Sequence, residues 1–270
     1  MKRSALLILP CLVLCLLFSV VPMALSAVAG MWKIDFQDNV FVGFANYLKA
    51  IKDKGFSGAL LNGLAYGVFM TGMSYGIGVP LGLAVSDLPK GVRRKVQTAL
   101  YVPGLVTGVV LASLWRAVFN PVYGPLVGIF NVWSNRWTAI FAVSLMIVVS
   151  TVGVTAMTIS IYAASVGSEV REAARIDGAR DGQIRWRIVL PGIANIIIVM
   201  MILNMIGASQ VWETIQTVSF ARPNMTSGGP VWEIYDTGFT RIQYGLACAK
   251  TTIYLVALGL SMFIVRLVKR

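Results

Sequence analysis

The stretch "EVREAARIDGARDGQIRWRIVLP", Glu169 to Pro191, lies between two long apolar runs yet holds nine charged side chains: Glu169, Arg171, Glu172, Arg175, Asp177, Arg180, Asp181, Arg185 and Arg187. What a mixed-charge island does depends on what surrounds it. The 270 residues are 57% hydrophobic and 13% charged, with a mean hydropathy of +0.76. About a quarter of a soluble domain's residues are charged, so this composition is that of a multi-pass membrane protein. The net charge of +12 does not point to nucleic acid. Its Lys and Arg fall in short loops between apolar runs, not on a polar face interleaved with aromatics. Cys11, Cys15 and Cys248 lie inside apolar runs and the chain has no histidine. They read as inert buried thiols, with neither a disulfide framework nor a metal site.

About 20 apolar residues carry a helix across the hydrocarbon. Six spans are predicted, at 5–29, 58–86, 96–119, 137–164, 190–212 and 244–265. The first run is longer than the roughly 7 to 15 apolar residues of a signal peptide and reads as an uncleaved span. Lys2 and Arg3, then Lys90, Arg93, Arg94 and Lys95, then the island's five arginines, then Arg266, Lys269 and Arg270 all fall on one side of that arrangement. Cytoplasmic loops keep the basic excess, so both termini are predicted to be cytoplasmic. In the second span Gly63, Gly67, Gly78 and Gly82 share one helical arc, with Gly72 and Gly76 nearly opposite. Two small faces predict close approach by two neighbouring helices.

Orientation accounts for the island's arginines but not for its four acids, which contribute little to topology. Ser168 suits an N-cap, "EVREAARID" gives two helical turns, and Gly178 a left-handed stop. Helix is predicted to resume through "ARDGQIRWRIV", with Pro191 in the first turn of the next span. Val170, Ala173, Ala174 and Asp177 share a side of the short helix, with Glu172 and Arg175 beside it. A small-residue contact ringed by charge suits docking on a polar partner, whereas a lipid-facing helix would carry Leu, Phe or Trp there. These residues alone leave partner docking and a solvated loop both open.

The spacing from Glu172, Ala173 and Ala174 through Gly178 to Ile188, Leu190 and Pro191 resembles the loop of binding-protein-dependent ABC importer permeases. Further segments are similar to the carbohydrate-type members: "FVGFANY" at 41–47, "ALYVPGLVTGVVLASLWRAVFNPVYGPLVGIFN" at 99–131, "IGASQVWETI" at 206–215 and "TSGGP" at 226–230. The set is closest in pattern to the first permease of maltose and glycerol-3-phosphate type systems. It departs in placing Glu213 after Trp212, where the family more often has Asp after Phe.

The resemblance implies an all-α membrane protein of about six transmembrane helices forming one domain over 1–270, in the type I ABC-importer permease fold. Its cytoplasmic coupling helix would lie in a loop at about 168–189, with Glu172, Ala173, Ala174, Asp177 and Gly178 coupling to an ATPase. It also implies the partners: a second permease, two cytoplasmic ATPase subunits, an extracytoplasmic solute-binding protein and the bilayer of a bacterial or archaeal cytoplasmic membrane. The chain has no GxxxxGK[ST] phosphate loop. ATP and Mg are therefore expected on the partner ATPase, and no cofactor on this chain.

Polar side chains inside spans mark candidate solute paths. In span five these are Asn204, Ser209, Gln210 and Glu213; at 100° per residue Ala208 and Val211 share Asn204's face. Interhelical hydrogen bonding explains the amides equally well. Trp212, Trp232 and Tyr235 suit sugar stacking or an interfacial aromatic belt, and Asn62 and Tyr66 are weaker path candidates. A same-fold permease for a polyamine, phosphate or another small solute is the alternative within transport. An integral-membrane enzyme is disfavoured because the acids outside the island form no paired-carboxylate or metal-ligand motif, and a channel would need no docking loop.

Overall fold

A computed structural model describes residues 2–34, 39–120, 123–125, 135–218 and 227–268. Helix α1 (Lys2–Cys15) continues through a π-helical stretch, Leu16–Val20, into α2 (Val21–Ala29). A two-stranded antiparallel hairpin follows, β1 (Trp32–Ile34) and β2 (Asn39–Phe41), pairing Trp32 with Phe41. Then come α3 (Ala45–Lys52), α4 (Lys54–Ser86), α5 (Lys90–Tyr101), a 3₁₀ stretch at Val102–Leu105, α6 (Gly108–Val118) and α7 (Arg136–Ser165). The island forms α8 (Ser168–Ile176), α9 (Asp181–Gln183) and a π-helical stretch, Ile184–Val189, leading into α10 (Leu190–Ser209). The chain ends with α11 (Glu213–Val218), α12 (Pro230–Tyr235), a π-helical stretch at Asp236–Thr240, and α13 (Tyr244–Val268).

Among the described residues, four helical stretches are long and apolar enough to cross a membrane: Leu9–Ala29, Lys54–Ser86, Arg136–Ser165 and Asp181–Ser209. The sixth predicted run is α13, whose 25 residues reach about 37 Å at 1.5 Å per residue. The third departs from expectation. Instead of one helix over 96–119, Lys90–Leu105 and Gly108–Val118 meet at a bend of 78°. Pro103 lacks an N–H and Gly104 is a weak helix former, and the chain runs extended at Val106 and Thr107 before α6 begins. The fifth span starts and stops earlier than predicted: helix is continuous from Asp181 to Ser209. Pro191 therefore lies inside it, two residues after the π-helical stretch that locally relaxes the ladder a proline interrupts. Cys11 and Cys15 are exposed on the first span and Cys248 is half-buried, so the predicted burial of these thiols does not hold.

The chain divides into two compact units, Met1–Leu61 with Gly229–Arg270, and Asn62–Gly228. In the first, α13 packs against α2 and α3 around a buried charge cluster. Lys250 is fully buried, and its Nζ lies 2.8 Å from Asp53 Oδ2, 2.8 Å from Glu233 Oε1 and 2.9 Å from Thr237 Oγ1. An ammonium inside an apolar helix is tolerated only with such partners.

In the second unit, α4 is unbroken through Pro80 and lies against α7. A Cβ on Gly78 would come 2.8 Å from Thr155, and one on Gly82 would come 2.6 Å from the Ala156 carbonyl oxygen. The two form a small-xxx-small step of the kind that lets helices meet at backbone distance. Gly67 meets Met205 of α10 in the same way, while Gly72 and Gly76 have nothing within 4 Å. Only one of the two predicted glycine faces is used in this way. Ser74 with Thr151, and Gln97 Nε2 donating to Ser160 Oγ at 3.0 Å, add polar links between helices.

Candidate functional site

The charged island is a helix–turn–helix anchored at its base. Gly167 rather than Ser168 is the residue before α8, and no side chain caps that end. Gly178 stands at φ +83°, a conformation that strains any side chain, and ends the short helix as predicted. The backbone N–H of Ala179 returns to the Ala174 carbonyl at 2.9 Å. Arg180 N–H donates to Gln183 Oε1 at 2.8 Å and starts the following helix.

The two sides of α8 differ sharply. Ala174 is buried in an apolar cluster with Leu83, Ile159, Ala163, Ile184 and Val189. This corrects the expectation that it belongs to the docking contact: it is the residue by which α8 rests on its own spans. Glu172, Ala173 and Asp177 are exposed as predicted, and so is Gly178. Val170 is 50% exposed and Ile176 87% exposed. An almost fully exposed isoleucine among charges is a poor surface for water and a suitable one for a partner. Ile176 escaped the sequence reading because helical periodicity placed Ala173 and Ala174 on one face without saying which of them the fold would claim.

Asp87, just beyond the end of α4, holds the island in place. Its Oδ1 accepts from Arg171 Nη1 at 3.0 Å, and its Oδ2 accepts from Arg185 Nε. One carboxylate thus ties both limbs of the loop to the second span. Arg171 Nη2 also donates to the Ala163 carbonyl, while its Nε is buried without a partner among the described residues. That guanidinium is largely buried, at 15% side-chain exposure, so Asp87 supplies the charge that makes its burial tolerable. Arg175 pairs with Asp181 at 3.1 Å, but both are more than half exposed and the pair adds little. Asp87 had a sequence signal: it is a lone acid before the basic run from Lys90 to Lys95.

The predicted path residues do not assemble on one helical face. Asn204 is half-buried, and its Oδ1 accepts from Thr71 Oγ1 of α4 at 3.0 Å, an interhelical hydrogen bond. Ala208 is buried with Tyr66, Met70, Ile140 and Ile215, and Val211 packs against that cluster. Helix α10 ends at Ser209, so Val211 lies beyond it and the expected face of Asn204, Ala208 and Val211 is not formed. Gln210 is exposed at the helix end, and Glu213 is exposed at the start of α11. Asn62 and Tyr66 are also fixed, donating to the carbonyls of Gly228 at 2.8 Å and Ser227 at 3.0 Å. They shape the chain at those residues. Trp232 is buried, and Tyr235 packs on Phe239 with ring centres 5.0 Å apart.

Apolar spans interrupted by an anchored loop with one outward face are the architecture of a polytopic membrane protein. The chain belongs to the family of binding-protein-dependent transport system inner membrane components, whose pattern matches residues 74–270. It is 25% identical over 239 residues to the sn-glycerol-3-phosphate transport system permease protein UgpA of Agrobacterium fabrum, covering 85% of this chain and 81% of that one. It is 26% identical over 246 residues to the probable ABC transporter permease protein YurN of Bacillus subtilis, covering 86% and 83%. Its fold matches a crystal structure of a bacterial ABC transporter that imports the acidic polysaccharide alginate, with a TM-score of 0.78, 22% identity and coverage of 96% of this chain and 93% of that one. The fold is thus that of the type I ABC-importer permeases. The chain is a multi-pass membrane permease of an importer that works with a solute-binding protein.

Proposed function

We propose that this chain is one of two permease subunits of an importer for a sugar or sugar-like solute, and that the outward face of α8 receives a cytoplasmic ATPase. The observation that carries the proposal is the anchored helix itself: Val170, Ala173, Ile176 and Asp177 face outward while Arg171 and Ala174 fasten the opposite side. A solvated loop needs no such fastening. The sugar assignment is supported by likeness to a glycerol-3-phosphate permease and by a fold shared with an alginate importer.

In this mechanism ATP and Mg sit on two ATPase subunits, both termini of this chain are cytoplasmic, and an external binding protein delivers the solute. ATPase closure pushes α8. Arg171 and Arg185 pass the movement through Asp87 to the end of α4, and the spans switch as rigid bodies between two arrangements. Asn204, Gln210 and Glu213 remain the proposed contacts along the path, whereas Ala208 and Val211, packed in the interior, do not.

The test is reconstitution of the permeases with their ATPase and binding protein in proteoliposomes, with uptake of a panel of labelled sugars. Uptake of a sugar that requires both ATP and the binding protein supports the proposal. Uptake restricted to a polyamine or phosphate overturns the sugar assignment, and uptake independent of ATP overturns the coupling.

A further inference from the structure

The segment between the first two spans holds a helix, α3, with three distinct sides. On one side α3 is fastened to its own unit. Ala50 is fully buried, Tyr47 Oη donates to the Ala27 carbonyl at 2.6 Å, and Asn46 Nδ2 lies 3.1 Å from the Gly30 carbonyl and 3.0 Å from that of Trp32. On a second side, Phe44 just before the helix, Leu48 and Ile51 fall within one narrow arc at 100° per residue. Their exposures are 65%, 58% and 65%. Phe41 at the end of β2 is 60% exposed as well. On a third side Lys49 and Lys52 are exposed.

The positions of the helix ends say what covers the apolar side. The first span ends at Ala29 and the next begins at Lys54, so α3 joins two membrane-crossing helices at one surface of the bilayer. The first span has none of its apolar window buried within this chain, so an exposed apolar surface runs along it towards α3. A helix tied to that level cannot lift its apolar side into bulk water. An apolar arc of Phe, Leu and Ile bordered by lysines is the pattern of a helix lying in the interface, with the lysine stems along the apolar surface and their ammonium groups at the headgroups.

We propose that α3 is an interfacial helix whose Phe44, Leu48 and Ile51 insert into the acyl boundary of the lipid leaflet at the ends of the first two spans. It would hold the ends of those spans at a fixed depth. The occupant is the bilayer and not a protein partner.

The assembled transporter in nanodiscs tests this, with Cys11, Cys15 and Cys248 replaced by Ser and a single cysteine introduced by Leu48→Cys, Ile51→Cys or, as a control, Lys52→Cys. Each is labelled with an environment-sensitive NBD dye. Retained ATPase activity certifies each variant as folded. Expected are blue-shifted emission from positions 48 and 51, strong quenching by lipids carrying a shallow doxyl group and weak quenching by aqueous iodide, with the reverse order at position 52. Equal iodide quenching at all three positions would overturn the proposal by placing α3 in water. Positions 48 and 51 shielded from both quenchers would also overturn it, showing that a protein subunit covers them.

Discussion

Asp87 is the residue that fastens the charged island, because a single carboxylate serves two arginines from its two limbs. Charge-assisted hydrogen bonds are worth about 1.5 to 3 kcal/mol each. Asp87→Asn should therefore insert and assemble but lose solute-stimulated ATP hydrolysis several-fold, read by comparing basal and stimulated rates; unchanged stimulation would make the ion pairs incidental. Neighbouring alanines give a sharper contrast. Ala173→Trp enlarges the exposed face and should abolish ATPase binding in pull-down while the permease stays monodisperse. Ala174→Trp forces an indole into a packed cluster and should lower permease yield instead, since overpacking costs about 1 to 3 kcal/mol or more. Identical behaviour of the two would contradict the assignment of faces. Glu172→Ala, which removes an exposed charge, should be mild.

At the scale of elements, the sequence was most informative where one physical rule dominated. Apolar run length located the spans, and the Glu172–Gly178 spacing located the short helix α8 and its left-handed stop. It was least informative where tertiary packing decides between chemically similar residues. Ala173 and Ala174 look alike until α8 is set on its spans, and Ala208 looks like a path residue until Tyr66 and Ile215 are packed around it. Helix ends were misjudged for local reasons. Pro103 and Gly104 break the third span, and Pro191 is absorbed into a continuous helix beside π-helical turns. The Gly78–Gly82 step carries its own expected outcome. Gly82→Leu has no room against the Ala156 carbonyl, so the detergent-purified permease should show a clearly lower melting temperature. Gly76→Leu, at an open position, should not.

Across the whole molecule, Lys250 joins segments far apart in sequence, and the composition-level reading passed over it as one basic residue among 23. Removing it alone by Lys250→Met strands Asp53 and Glu233, a loss of about 3 to 5 kcal/mol for a broken buried pair. The triple replacement Lys250→Met, Asp53→Asn, Glu233→Gln should recover part of that in thermal unfolding. Burial pushes the Asp53 carboxyl up, but the hydrogen bond and charge of Lys250 and the Gly55 and Phe56 amides outweigh it and hold the group below its usual 3.8. Its stabilising contribution is thus complete above the unfolded carboxylate value and is lost as pH falls through the still lower folded value. Acid unfolding should therefore begin at higher pH in Asp53→Asn than in the parent. The central claim, however, is that the outward face of α8 is where the ATPase acts, and photocrosslinking tests it most directly. A benzophenone amino acid at Ile176 of the assembled transporter should give an adduct with the ATPase subunit whose yield changes when ATP is added. Adducts only with lipid, or none while the transporter is active, would contradict the account.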